Sequence, residues 1–345
     1  MIDRKNRRKT GGKTSPSKAK NLLNAQNIFY AGVGWSIAAL LFFLLFSVNT
    51  PDQESPFWYS IGTYILELGA FLGAGLLCYR NWLSPQIASG RSVWLGIGLG
   101  MFCYFLGGCV YGLWELYFQL EPDVSPADLF YMAFYLFIGW GMILAVLPRR
   151  LNLEWRQWLI VAAMAAVAIA FALIITFANP TEGEEAEVTA SPATEQAIPS
   201  PTPAQSPPGA PPLAPPLADA AATEAEIERP GWLLAMDSFL SRFSVPVNLF
   251  YVIADVGLLI IATTLLLAFW GGRFSQSWRM IAAATFALYI ADMWLKYAYT
   301  FVANYESGSL LEVFFVFSAV LFGLGAALEY DVSTSRHSRS RRRRG

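Results

Sequence analysis

Charge is what this chain most lacks. Only 14% of its 345 residues are charged, against 55% hydrophobic, whereas a water-soluble chain of this length carries about a quarter charged residues. A soluble globular class is thereby excluded. Histidine is almost missing: His337, in a basic run near the C-terminus, is the only one. That argues against a His-ligated haem, a zinc site or a histidine general base. The three cysteines, Cys78, Cys103 and Cys109, all fall inside apolar runs. They read as small buried side chains rather than a disulfide framework. No phosphate loop, metal-ligand cluster or Ser-His-Asp set is legible, so neither a cofactor nor an enzymatic activity is expected. Proline is confined to loops and helix starts, so the interrupted helices frequent in secondary transporters have no signature here.

What the chain does have is a series of apolar runs of roughly 20 residues, the length that crosses a hydrocarbon core at 1.5 Å per residue. Eight spans are predicted, at 28–48, 57–79, 93–118, 126–147, 158–178, 246–270, 278–301 and 309–328. The fold class is an all-α polytopic membrane protein. Span 4 opens Ser125-Pro-Ala-Asp128 and span 8 opens Ser309-Leu-Leu-Glu312. In both, a serine is followed three residues on by a carboxylate, the capping-box pattern. Asp128 and Glu312 are therefore assigned to helix starts and not to a functional site.

Basic residues are segregated. If eight spans alternate, 21 of the 24 Lys and Arg residues lie on one side, including a basic N-terminal tail (1–27) and a basic C-terminal tail (329–345). The positive-inside rule then puts both termini in the cytoplasm of a bacterial inner membrane. Residues 179–230, rich in Ala, Pro and Glu, become an extracytoplasmic loop too polar and proline-rich to bury a core. Trp232, Met236, Phe239, Leu240 and Phe243 share one helical face, which predicts a short interfacial helix over 231–243. The polybasic tails suit anionic lipid. Without a folded nucleic-acid module, no nucleic-acid partner is expected.

Sliding the chain on itself by 184 residues aligns Trp94 with Trp278, Phe102 with Phe286, Ser125 with Ser309, Gly139 with Gly323 and Gly141 with Gly325. At a slightly different shift Glu67-Leu-Gly69 meets Asp255-Val-Gly257. Two tandem parallel four-helix repeats are expected, 28–148 and 149–328, with the long loop inserted in the second.

Ionisable residues within spans are costly and face the bundle interior. Glu67 and Asp255 sit at matching depths. Each reads as an interhelical tie or, in the competing reading, as a proton carrier of a transporter. Asp292 and Lys296 are spaced i, i+4 with the acid first, the better orientation for an ion pair. Their repeat partners are Gly108 and Gly112, a pair that lets a helix approach closely. Lys296 lies near a span end where it can snorkel, which disfavours a Schiff-base role. Glu115 is placed at the interface, and the tryptophans and tyrosines near span ends read as interface anchors.

The motifs Ser125-Pro-Ala-Asp-Leu-Phe-Tyr131 and Trp278-Arg-Met-Ile-Ala-Ala-Ala, leading to Gly308-Ser-Leu-Leu-Glu312, resemble the multi-span N-terminal modules of bacterial diguanylate cyclase (GGDEF) signalling proteins. The resemblance covers the membrane part and implies a sensory membrane domain. Only about seventeen residues follow Leu328, so signalling would pass to a separate cytoplasmic or membrane protein partner. The function expected is a non-enzymatic sensor-like or scaffolding unit acting through helix packing. Proton-coupled transport through Glu67 and Asp255 is the alternative.

Overall fold

The structure, a computed structural model, describes residues 24–47, 56–120, 122–147, 154–177, 230–269, 275–302, 305 and 307–342. The N-terminal basic tail before residue 24 and the loop 178–229 lie outside the described residues. Among the described residues nine helices follow one another: α1 Ala25–Phe46, α2 Phe57–Leu83, α3 Arg91–Gly112, α4 Asp128–Val146, α5 Trp155–Phe177, α6 Gly231–Leu240, α7 Ser244–Ala268, α8 Ser275–Phe301 and α9 Val313–Arg342. No strand occurs among the described residues. Seven helical runs there are long and apolar enough to cross a membrane. The eighth expected span is α8, which has 27 residues but carries Arg279, Asp292 and Lys296.

The antiparallel neighbours α3–α4 and α8–α9 are tight hairpin pairs, α2 packs on α3, and α7 on α8. Two further interfaces join the early helices to the late ones, α2 on α9 and α4 on α7. Helix α1 leans on α9 and α5 on α7 and α8. Both leave most of their apolar surface exposed, as helices at a lipid boundary do.

Glycine sets the closest crossings. A Cβ on Gly96 would fall 2.8 Å from Gly141 Cα, so α3 and α4 meet backbone to backbone. A Cβ on Gly141 would fall 2.9 Å from Val93 O and 3.0 Å from Ile97 Cγ1. A Cβ on Gly325 would meet Ser277 O at 3.1 Å and Ile281 Cγ1 at 3.0 Å. Gly325, Ser277 and Ile281 each lie 184 positions after Gly141, Val93 and Ile97. At the centre, the rings of Trp94 and Trp278, both fully buried, lie 6.3 Å apart. These two tryptophans are core residues, not the interface anchors that their place near span starts suggested.

Three elements depart from the expected boundaries. Helix α3 runs into a π-helical turn, Leu113–Tyr117, which widens its last turn. Helix α9 continues through the expected C-terminal tail to Arg342. The stretch after Gly325 holds no glycine or proline before Gly345 to stop it, and the α2–α3 loop grips it. Ser89 N donates to Glu329 Oε1 at 3.1 Å and Ala88 N to Ser333 Oγ at 3.2 Å. The short helix expected over 231–243 forms as α6, followed by a 3₁₀ turn at Ser241–Phe243 that feeds directly into α7. Its buried anchor is Leu233, while Trp232 sets its ring edge-on against Trp114 and Phe118. Pro246 sits in the first turn of α7, where no intrahelical N–H is needed.

Candidate functional site

The acids predicted inside the spans are all held by tyrosine. Tyr104 of α3 donates to Glu67 Oε1 of α2 at 2.6 Å. Tyr135 of α4 reaches two acids at once: its hydroxyl lies 2.7 Å from Asp255 Oδ1 of α7 and 2.7 Å from Asp292 Oδ2 of α8. Tyr64 of α2 donates to Glu115 in the π turn. The pattern extends to the two capping acids. Tyr251 of α7 donates to Asp128 Oδ1 at 2.5 Å, and Tyr305 donates to Glu312 Oε1.

The Tyr135 site brings three helices together. Asp255 is 3% exposed and Tyr135 5%. A phenol has one hydrogen to donate and lone pairs to accept. It cannot serve two ionised carboxylates, which only accept. The geometry closes when one of the acids carries a proton and donates it to the phenol oxygen while the phenol donates to the other. The second oxygen of Asp255, Oδ2, is buried without a hydrogen-bond partner. A bare ionised oxygen there would be costly, so a single proton shared within the trio is the low-energy arrangement. No more than two hydrogen-bond lengths separate Asp255 Oδ1 from Asp292 Oδ2, close enough for the acids to titrate as a unit.

The expected Asp292–Lys296 pair is replaced. The hydrogen-bond partner of Asp292 is Tyr135, not the lysine one turn on. Lys296 is half-buried. The physical reason is tertiary: the α4 phenol meets the aspartate across the helix contact, which i, i+4 spacing along α8 does not report. Glu67 is not part of this trio; it sits with Tyr104 on the α2–α3 side.

The glycine pair behaves as its spacing implied. A Cβ on Gly108 would fall 2.3 Å from Leu68 Cδ2 and one on Gly112 3.1 Å from Tyr64 Cε1, so α2 approaches α3 there. That approach brings Tyr64 within reach of Glu115, which is therefore paired rather than simply interfacial.

At the helix starts, Ser309 and Glu312 form a full capping box. Ser125 N donates to Asp128 Oδ2 at 2.7 Å. Glu312 also takes bonds from the N–H groups of Gly308 and Ser309 at 2.8 and 2.9 Å. Burial first, then the Glu312 carboxylate, push the Tyr305 phenol in the preceding loop above its ordinary value. Asp128 does more than cap: through Tyr251 it ties α4 to α7. Tyr59 of α2 similarly donates to Gly308 O at 2.5 Å, and Asn81 Nδ2 to Ala326 O at 2.8 Å, tying α2 to the last hairpin.

The tyrosines are the residues that sequence reasoning passed over. The usable signal was position: Tyr104 and Tyr135 lie well inside their spans, where an interface anchor has no place and a phenol needs a partner. Among the described residues no group of three metal-ligating side chains occurs, and the three cysteines are free thiols. No protein family, curated protein or solved structure matches the chain.

Proposed function

We propose that this chain is a sensor-like or scaffolding membrane unit, without enzymatic activity, whose helix packing answers to the proton shared by Asp255, Tyr135 and Asp292. The observation that carries the reading is the single phenol on α4 bridging carboxyl groups on α7 and α8. With one proton the trio holds three helices. With that proton gone, two adjacent carboxylates repel across the α7–α8 contact, and only one can keep the phenol's hydrogen, which weakens the hold of α4 on that pair. That is a two-state element biased by a local charge, as a switch requires.

The unit is a tandem repeat of four spans in this reading. Support comes from the recurrence of the Gly141 contacts at Gly325, the meeting of Trp94 with Trp278, and the presence of both an α4–α7 and an α2–α9 interface, which the repeat would make equivalent. Both termini face the cytoplasm of a bacterial inner membrane, as the Lys and Arg distribution implies. A cytoplasmic or membrane protein partner reads the packing change there, in keeping with the resemblance to sensory modules of diguanylate cyclase-type proteins.

Spin labels at Leu129 on α4 and Leu249 on α7, both largely exposed, test this in reconstituted protein with the native cysteines replaced. The inter-label distance changes with pH in the wild-type background. It becomes pH-independent in the D255N/D292N variant. A distance that ignores pH in the wild type, or that still follows pH in the double variant, refutes the reading.

Proton-coupled transport is the second reading, favoured by the phenol bonded to each of Glu67 and Asp255 within the bundle. A pH-sensitive dye inside proteoliposomes separates the two. Flux that stops in E67Q and D255N supports transport.

A further inference from the structure

The two acids that meet at Tyr135 are not equally enclosed. Asp255 of α7 is buried, whereas Asp292 of α8 is partly exposed. The open side of Asp292 does not face lipid. Along α8 the exposed residues Ala283, Ile290 and Tyr297 recur every seven positions and mark its outward stripe. Asp292 follows Ala283 by nine positions, about two and a half turns, which puts it on the opposite face. On that inward face Tyr299, near the helix end, is exposed, so the opening beside Asp292 runs toward that end. Asp255 has no such opening, and its Oδ2 is buried without a hydrogen-bond partner.

The other titratable groups around Asp255 do not supply what an ionised carboxylate there would need. Tyr289 of α8 donates to Ala168 O of α5 at 2.9 Å, and Tyr251, one turn earlier on α7, donates to Asp128. Helix α5, which also packs on α7, carries no ionisable side chain after Arg156 in its first turn. Tyr131 precedes Tyr135 by one turn on α4, and Lys296 follows Asp292 by one turn on α8. A cation there stabilises a negative charge anywhere in the trio. Enclosure is therefore what separates the two acids: a neutral carboxyl tolerates a dry site with an orphaned oxygen, and an ionised one does not.

Given the one proton shared within the trio, on which this rests, we infer that Asp255 is its resting holder and Asp292 the ionised partner. The hydrogens then run one way: Asp255 donates to the phenol oxygen of Tyr135, and Tyr135 donates to Asp292 Oδ2. The first half of the chain has no second copy of this arrangement. Glu67 corresponds to Asp255, but under the 184-residue shift Ala319 stands for Tyr135 and Gly108 for Asp292. Glu67 is partly exposed and takes its phenol from Tyr104 instead. One proton-holding aspartate per chain is expected.

Infrared spectroscopy of the full chain tests this at neutral pH, in ether-linked phospholipid that has no ester carbonyl of its own. A protonated carboxyl shows a C=O stretch that shifts in D₂O. The wild type shows such a band, and growth on aspartate with isotopically heavy carbon in its side-chain carboxyl moves it without any substitution. D255N removes the band; D292N and E67Q leave it at full intensity. D255N keeps the fold, because the Asn amide can donate to the phenol as the protonated acid does, and thermal melts check each variant. The assignment is overturned if D292N removes the band while D255N keeps it, if each single variant halves it, or if the heavy aspartate does not move it. A wild type with no protonated-carboxyl band defeats this assignment and the proposed function together. A band that belongs to Asp255 in a protein whose inter-label distance ignores pH defeats the proposed function alone.

Discussion

Replacing Tyr135 by phenylalanine removes one oxygen and leaves two buried carboxyl groups without their common partner. Hydrogen bonds between membrane helices contribute about 0.6 kcal/mol on average and up to about 1.7. An acceptor stranded in a buried site costs about 1–3 kcal/mol. Two bonds of 2.7 Å around a residue 5% exposed belong at the upper end of the first range. We expect Tyr135→Phe to destabilise the fold by about 2 kcal/mol. Tyr104→Phe is the control. It removes one bond of 2.6 Å, to Glu67, and is expected to cost about 1 kcal/mol. Equilibrium unfolding in bicelles measures both. Double-mutant cycles of Tyr135→Phe with Asp255→Asn and with Asp292→Asn add the decisive quantity. If the phenol serves both acids, each cycle shows a coupling of at least about 0.5 kcal/mol. The trio is refuted if Tyr135→Phe costs no more than Tyr104→Phe, or if either cycle is additive.

Other perturbations bear on the same architecture. Gly141→Ala drives a methyl into Val93 O and the backbone N of Ile97, each at 2.9 Å. It must part α3 from α4 and lower stability by at least about 2 kcal/mol, whereas Gly257→Ala, with nothing within 4 Å, is neutral or slightly stabilising by the same unfolding assay. Gly308 has φ +111° and would place a Cβ 3.0 Å from Tyr59 Cε1. Gly308→Ala is expected to cost about 1–3 kcal/mol, read as a lowered melting temperature. Tyr251→Phe removes the α4–α7 tie to Asp128 while leaving that residue's bond to Ser125 N. It should cost about 1 kcal/mol and raise hydrogen exchange at the start of α4.

The helices were legible because apolar runs of span length leave few alternatives. Most boundaries fell within a few residues, since capping serines, glycines and prolines announce themselves in sequence. The end of α9 did not, because the contacts that extend it come from the α2–α3 loop, through Glu329 and Ser333. The intramembrane acids were also legible by type and depth, and Asp255 and Asp292 do converge. Their partner was not. Helical spacing relates Asp292 to Lys296 but says nothing of a tyrosine 157 residues earlier. Only the packing of α4 against α7 and α8 creates that neighbour. The partner of Glu115 was not legible for a related reason, since Tyr64 comes from the neighbouring helix, and the sequence of Leu113–Tyr117 carries no mark of a π turn.

That π turn has a consequence for how the molecule can be approached. The run Arg91–Tyr117 and helix α8, Ser275–Phe301, have the same number of residues, 27 each. The first spends five of them in a wider, shorter coil. The two rims at that end of the bundle are therefore unlike each other, even where the interior contacts recur.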